Sequence, residues 1–182
     1  MQIITGKYRG RKLLSLETEK TRPTLARVKE SLFSMVDEYI SDKVVLDLFA
    51  GSGALGIEAL SRNAKKVYFV DSNPDAKKVI ETNLRNVKED FSVEISDYVL
   101  ALDKYAKTGV KFDIVFLDPP YKSDFGAKAI DLLAKKNLLN DGAIVCLEYE
   151  GVNHLQSFPE CYIILKSKKY GIAGIVILEY RK

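Results

Sequence analysis

The chain is poor in the residues that staple or metallate small proteins: 182 residues hold two cysteines, Cys146 and Cys161, and a single histidine, His154. The cysteines form no C-x-x-C pair and sit in apolar surroundings. A disulfide scaffold and an ordinary Cys/His zinc site are thereby excluded, and no metal is expected. Long apolar runs are also missing. The longest near-apolar stretch, residues 172–178, is far short of the roughly 20 residues that a spanning helix needs. The opening MQIITGKYRGRKLL lacks the apolar core of a signal peptide. The expectation is a reduced, cytoplasmic protein with no membrane partner, and a monomer. There is no internal repeat, low-complexity tract or Pro/Gly-rich linker.

What is present is a globular composition, 47% hydrophobic and 29% charged, at a length that fits one domain. The net charge of +3 is unevenly spread. Residues 1–31 carry eight bases against three acids, so this segment holds +5 and the remaining 151 residues −2. A basic arm on a near-neutral body suits a polyanion partner, and equally a solubilising tail.

The arm reads as a β-hairpin, with QIIT and KLLSL flanking GKYRG and Gly6 and Gly10 for the turn. Residues 1–23 form this extension, and residues 24–182 a single domain. Thr24 can cap a helix whose apolar positions Leu25, Val28, Leu32, Met35/Val36 and Tyr39 recur at helical spacing. Strands then alternate with helices: KVVLDLF, a helix over 54–62, KVYFVD, a helix from the Asn73 cap to about 86, FSVEIS, a helix beginning near Asp97, FDIVFLD, and a helix over 125–136. Asn140-Asp141-Gly142 reads as a turn into the strand 143–150, and YIILK to YGIAGIVILEY as a closing antiparallel hairpin. Two strands are apolar on nearly every residue, which argues for a sheet covered on both faces. The expected fold is α/β, a doubly wound, mostly parallel, Rossmann-like sheet with a C-terminal antiparallel hairpin and an N-terminal β-hairpin extension.

The segment D-L-F-A-G-S-G-A-L-G, residues 47–56, places Gly51, Gly53 and Gly56 in G-x-G-x-x-G register between a strand and a helix. Glycines permit a tight turn and close approach to a ligand. Asp71 ends the second strand twenty residues after Gly51, where a carboxylate can take both hydroxyls of a ribose or serve the cap beside Asn73. Asp47 separates two cofactors. A dinucleotide would bring a pyrophosphate to this turn, whereas a sulfonium and ammonium cofactor tolerates a carboxylate there. D-x-x-x-G-x-G therefore points to S-adenosylmethionine, although Asp47 could also bond backbone amides of the turn. Asp97 could meet an adenine amine or cap the next helix.

Asp118-Pro119-Pro120-Tyr121 ends the most hydrophobic strand. The prolines cannot extend the ladder, so the chain leaves the sheet rigidly. An Asp carboxylate, a fixed proline carbonyl and an aromatic face suit a planar amine. If this strand neighbours the one ending at Asp47, methyl donor and amine meet at one edge of the sheet.

With these motifs, and with TRPTLARVKESLF, LDLFAGSGALGIEALSR, FLDPPY and YGIAGIVILEY, the chain resembles the class I S-adenosylmethionine-dependent methyltransferases. More narrowly, it resembles the RsmD family of small-subunit (16S) ribosomal RNA guanine-N2 methyltransferases. The resemblance implies that Asp47, Gly51, Gly53, Asp71 and Asp97 hold the cofactor. Ala50, Ser52, Ser72 and Asn73 would lie beside them and Thr24 near its amino-acid end. Asp118, Pro119, Pro120 and Tyr121 would grip the guanine amine, and the basic hairpin (Lys7, Arg9, Arg11, Lys12, Arg22) would contact ribosomal RNA. Residues 89–91 depart from the pattern, lacking the glycine that often precedes the third strand. Competing readings are an adenine-N6 DNA methyltransferase, an NAD-dependent oxidoreductase on the same glycine-rich turn, and a non-catalytic RNA-binding module.

Overall fold

The β-branched and aromatic runs read from the sequence become the strands of a single sheet. In the computed structural model, residues 1–16, 23–120, 124–150 and 158–182 are described. Arg22, Tyr121 and His154 lie outside them. Helix α1 (Pro23–Val36) is followed by a short 3-10 turn over Asp37–Tyr39. Next come β1 (Val44–Asp47), α2 (Ala54–Ser61), β2 (Lys66–Asp71), α3 (Pro74–Asn83), β3 (Asp90–Ile95), α4 (Tyr98–Thr108), β4 (Phe112–Leu117), α5 (Phe125–Lys135), β5 (Leu139–Glu150), β6 (Tyr162–Tyr170) and β7 (Ala173–Tyr180). The sheet order is β3-β2-β1-β4-β5-β7-β6. The first five strands run parallel, while β7 pairs antiparallel with both β5 and β6.

Alternation along each central strand splits the core into two layers. Val45, Ile114, Phe116, Ile144, Cys146, Ile175 and Ile177 meet apolar residues of α1, α2 and α3. Leu46, Val115, Leu117, Val145, Leu147, Val176 and Leu178 meet those of α4 and α5. Among the described residues no helix is long and apolar enough to cross a membrane. Cys146 is buried, which pushes its thiol well above the usual range.

Four expectations are corrected. Helix α1 starts at Pro23, so Thr24 lies in its first turn and is not its cap; proline suits the first helical position because its missing N–H has no partner there anyway. Helix α3 stops at Asn83, and the turn that follows carries Asn86 at a φ of 65°. The Asn140-Asp141-Gly142 segment is not a turn before β5 but part of it. There the ladder to β4 shifts register between Phe112 and Ile114, and Gly142 adopts a φ of 77°, an irregularity that absorbs the turn-forming residues within the strand. The N-terminal hairpin is held by one isolated bridge, Gln2 to Lys12, and not by extended strands.

That arm is not a free tail. Ile3, Leu13 and Leu16 belong to the α1–α3 layer of the core. Its backbone is tied to Glu58, whose carboxylate accepts from the amides of Ile4 (2.8 Å) and Thr5 (3.1 Å). Glu58 is fully buried as the one charge in its helix and also pairs with Lys29 and Arg62, each at 3.0 Å. Burial lowers the Lys29 ammonium below its usual range, with Glu58 partly restoring it.

Candidate active site

The carboxyl ends of β1 and β4 lie side by side, with Asp47 paired to Phe116. In the order 3-2-1-4-5 this is where chain direction across the sheet reverses, the crevice in which open α/β sheets take ligands. The strands therefore bring the glycine-rich turn, Asp71, Asp97 and Asp118-Pro119-Pro120 to one edge.

Gly51 and Gly53 both adopt positive φ, at 52° and 78°. Gly56 serves packing: a Cβ there would lie 2.3 Å from the Phe69 ring and 2.8 Å from Val67, so α2 can sit against β2 only without a side chain. Asp47 is 1% exposed, and its Oδ2 accepts from the Gly56 amide at 2.9 Å. This carboxylate thus caps the N-terminus of α2, where the Gly53 cap residue offers no side chain. Of the two roles the sequence leaves open to Asp47, which can coexist, the bond to a backbone amide is present here. The consequence is electrostatic. The helix end that would receive a pyrophosphate already holds the protein's own anion.

Asp71 joins the turn to β2 and α3. Its Oδ2 accepts from Gly51 at 2.7 Å and its Oδ1 from Asn73 at 2.8 Å. A carboxylate offers about four acceptor directions, so two remain for hydroxyls. Asn73 caps α3 through Asp75, as expected, and Asp97 caps α4 by accepting from Val99 at 2.8 Å. Ser72 is exposed, whereas Ala50 and Ser52 are buried, and the Ser52 carbonyl accepts from Asn83. The Thr24 side chain is outside what is described.

Asp118 and Pro119 are half-buried just beyond β4. Gly126 on α5 lets that helix close on them: a Cβ there would meet Pro119 at 3.3 Å and Leu147 at 2.6 Å. The proline segment is thus clamped between a helix and β5.

Two features here were not singled out in the sequence. Phe49, Tyr98 and Phe125, from three separate segments, form an aromatic cluster with ring centroids 5.3 to 6.5 Å apart. It lies at the carboxyl edge between the turn after β1 and the starts of α4 and α5. The other is Glu148 on β5, one residue beyond the Leu117–Leu147 pairing and so level with Asp118. Burial pushes its carboxyl up to about 8, and the negative charge of Asp118 adds to the shift. A glutamate closing the run AIVCLE, at the same distance past the apolar strand as Asp118, was the available signal.

The basic arm lies elsewhere. Lys7 and Tyr8 amides bond Ser61 at the far end of α2, a helix length of about 12 Å from the glycine-rich turn. Lys7 pairs with Glu89 at 2.8 Å, which also accepts from the Tyr8 hydroxyl. Arg11 donates to the Arg85 carbonyl. Arg9 and Lys12 are exposed and form no ion pair among the described residues. Lys168 and Lys169, near the end of β6, are exposed bases closer to the carboxyl edge.

The sheet order and the glycine-rich turn define the class I methyltransferase fold. "Putative methyltransferase yhhF from Escherichia coli" superposes with a TM-score of 0.88 at 33% identity, covering 100% of this chain and 98% of that one. Ribosomal RNA small subunit methyltransferase D of Haemophilus influenzae is 41% identical over 176 residues, 96% of this chain and 91% of its own length. Its Escherichia coli namesake is 34% identical over 171 residues, covering 94% and 85%. A family model described as conserved hypothetical protein 95 matches residues 1–179. The chain belongs to that family, which is the family of ribosomal RNA small subunit methyltransferase D.

Proposed function

We propose that the protein methylates the exocyclic N2 of a guanine in small-subunit ribosomal RNA, with S-adenosylmethionine as methyl donor. The observation that carries this reading is the β1–β4 pairing, which sets Asp118-Pro119-Pro120 beside the glycine-rich turn. The donor supplies a methyl group made electrophilic by a sulfonium. Its fit rests on this chain's own groups: two free acceptor directions on Asp71 for ribose hydroxyls, the aromatic cluster as an apolar wall for a base, and turn glycines that leave room for close approach. Asp47 holds the helix end against a phosphate-bearing ligand, which disfavours the NAD reading.

The amine lone pair is delocalised into the guanine ring and is a poor nucleophile. Asp118 and the Pro119 carbonyl accept its two hydrogens and favour the pyramidal form, while the clamp on Pro119 holds both acceptors still. Tyr121 is assigned the stacking role. The base must be unstacked or flipped to reach this edge. The test is transfer of labelled methyl from S-adenosylmethionine into small-subunit ribosomal RNA from cells lacking the protein, with DNA as the comparison. Transfer to DNA alone would favour the adenine-N6 reading, and failure to bind the donor would favour a non-catalytic module.

Asp71→Ala is expected to weaken S-adenosylmethionine on the order of tenfold to a hundredfold, through lost hydroxyl bonds and a loosened Gly51 turn. Ligand-induced thermal stabilisation checks it, and an unchanged shift would remove Asp71 from the site. The arm's unengaged bases, Arg9 and Lys12, are assigned phosphate contacts remote from the reacting base. Reversing both charges should reduce the slope of log affinity against log salt by about 2, one per contact. An unaltered slope would leave the arm without an RNA role.

A further inference from the structure

Guanine presents three N–H donors along one edge, the two on N2 and the one on N1, next to the acceptor O6. The Asp118-Pro119 pair meets only the amine. A site that desolvates the base and leaves N1–H and O6 unmet forfeits affinity for both groups. The carboxyl of Glu148 adjoins Asp118 at this edge of the sheet. It is level with Asp118 on the neighbouring strand, and both follow residues of the same sheet face, Phe116 and Cys146. Its carboxyl makes no hydrogen bond or ion pair among the described residues and is only half-buried.

Among the described residues, its surroundings favour the neutral form of Glu148 over the charged one. From β4, Asp118 opposes its ionisation. From β7 the paired residue is the apolar Ile175. From β6, Lys168 shares this face, but its ammonium lies over the Tyr170 ring and 3.5 Å from Ser31. From α1, Val28 and Leu32 are buried, Lys29 is paired with Glu58, and Arg27 and Glu30 are exposed. A protonated carboxyl combines one acceptor and one donor, the complement of N1–H and O6.

Resting on the guanine-methylation reading above, we propose that Glu148 is a base-recognition residue, its neutral carboxyl accepting N1–H of the target guanine and donating to O6 while Asp118 and Pro119 hold the amine. Gln offers the same donor and acceptor at every pH, and Leu offers neither. Initial rates of labelled methyl transfer to small-subunit ribosomal RNA from cells lacking the protein, between pH 7 and pH 9, separate the possibilities. For the unaltered protein kcat/KM should fall about tenfold between pH 7.5 and pH 9 as Glu148 ionises, since that ratio reports the free enzyme. Glu148→Gln should lose less than Glu148→Leu at pH 7 and show no fall in kcat/KM up to pH 9. Glu148→Leu should lose on the order of 10- to 100-fold at pH 7, mostly in the KM for RNA, with the stabilisation by S-adenosylmethionine unchanged. The proposal is overturned if Glu148→Gln is as impaired as Glu148→Leu, or retains the high-pH fall. A Leu variant with unaltered KM for RNA overturns it too. Should the Leu variant not fold, the Gln profile alone decides. No transfer to RNA by the unaltered protein would overturn the functional reading itself.

Discussion

Asp118→Ala is expected to lower methyl transfer on the order of a hundred- to a thousandfold, the range seen when one fixed electrostatic partner of a transition state is removed. S-adenosylmethionine binding should stay within about a factor of two. The asymmetry follows from placement. Asp118 lies beyond β4, whereas the groups assigned to the donor follow β1, β2 and β3. Gly126 and Leu147 hold the proline segment from the α5 side without Asp118, so truncation removes an acceptor and leaves the scaffold standing. Single-turnover rates with saturating donor, alongside donor-induced thermal shifts, read the two effects separately. Equal losses in both would mean that Asp118 belongs to the donor site.

Glu58→Ala should cost about 3–5 kcal/mol of unfolding free energy, because it leaves the buried Lys29 ammonium without its anion. Lys29, with a side chain only 4% exposed, would lose its carboxylate partner, and Arg62, 8% exposed, would keep Asp37 alone. The Ile4 and Thr5 amides would lose their acceptor as well. Released from α2, the arm would shed the docking of Ile3 and Leu13, so protease cleavage within residues 1–16 should accelerate in step. Glu58→Gln keeps an acceptor for the amides but not the charge, and should fall between. Urea denaturation checks all three proteins, and a loss below about 1 kcal/mol for the Ala variant would show that the pair is not what anchors the arm.

These two residues mark how far the sequence could be read. Asp118 was legible because its neighbours carry the message: prolines that cannot extend a ladder, after a strand that is apolar throughout. The order of elements was legible for the same local reason, since periodicity, the Asn73 cap and the glycine-rich turn act over a few residues. Glu58 depends on partners 29 and more than 50 positions away. Its only local sign is one charge in ALGIEALS. Glu148 likewise gains meaning only when β4 and β5 are set in register. Asp47 shows an intermediate case: its position was informative, but its structural bond required the nine-residue reach to Gly56 to be seen. The arm's charge was visible as a total, while the pairing of Lys7 with Glu89 shows part of it already neutralised within the fold.

Nucleoside digestion of small-subunit ribosomal RNA from cells with and without the protein tests the central claim most directly. One N2-methylguanosine must disappear in its absence and return when the unaltered chain, but not Asp118→Ala, is supplied. An unchanged N2-methylguanosine content, with loss of a different methylated nucleoside, would contradict guanine-N2 methylation by this protein.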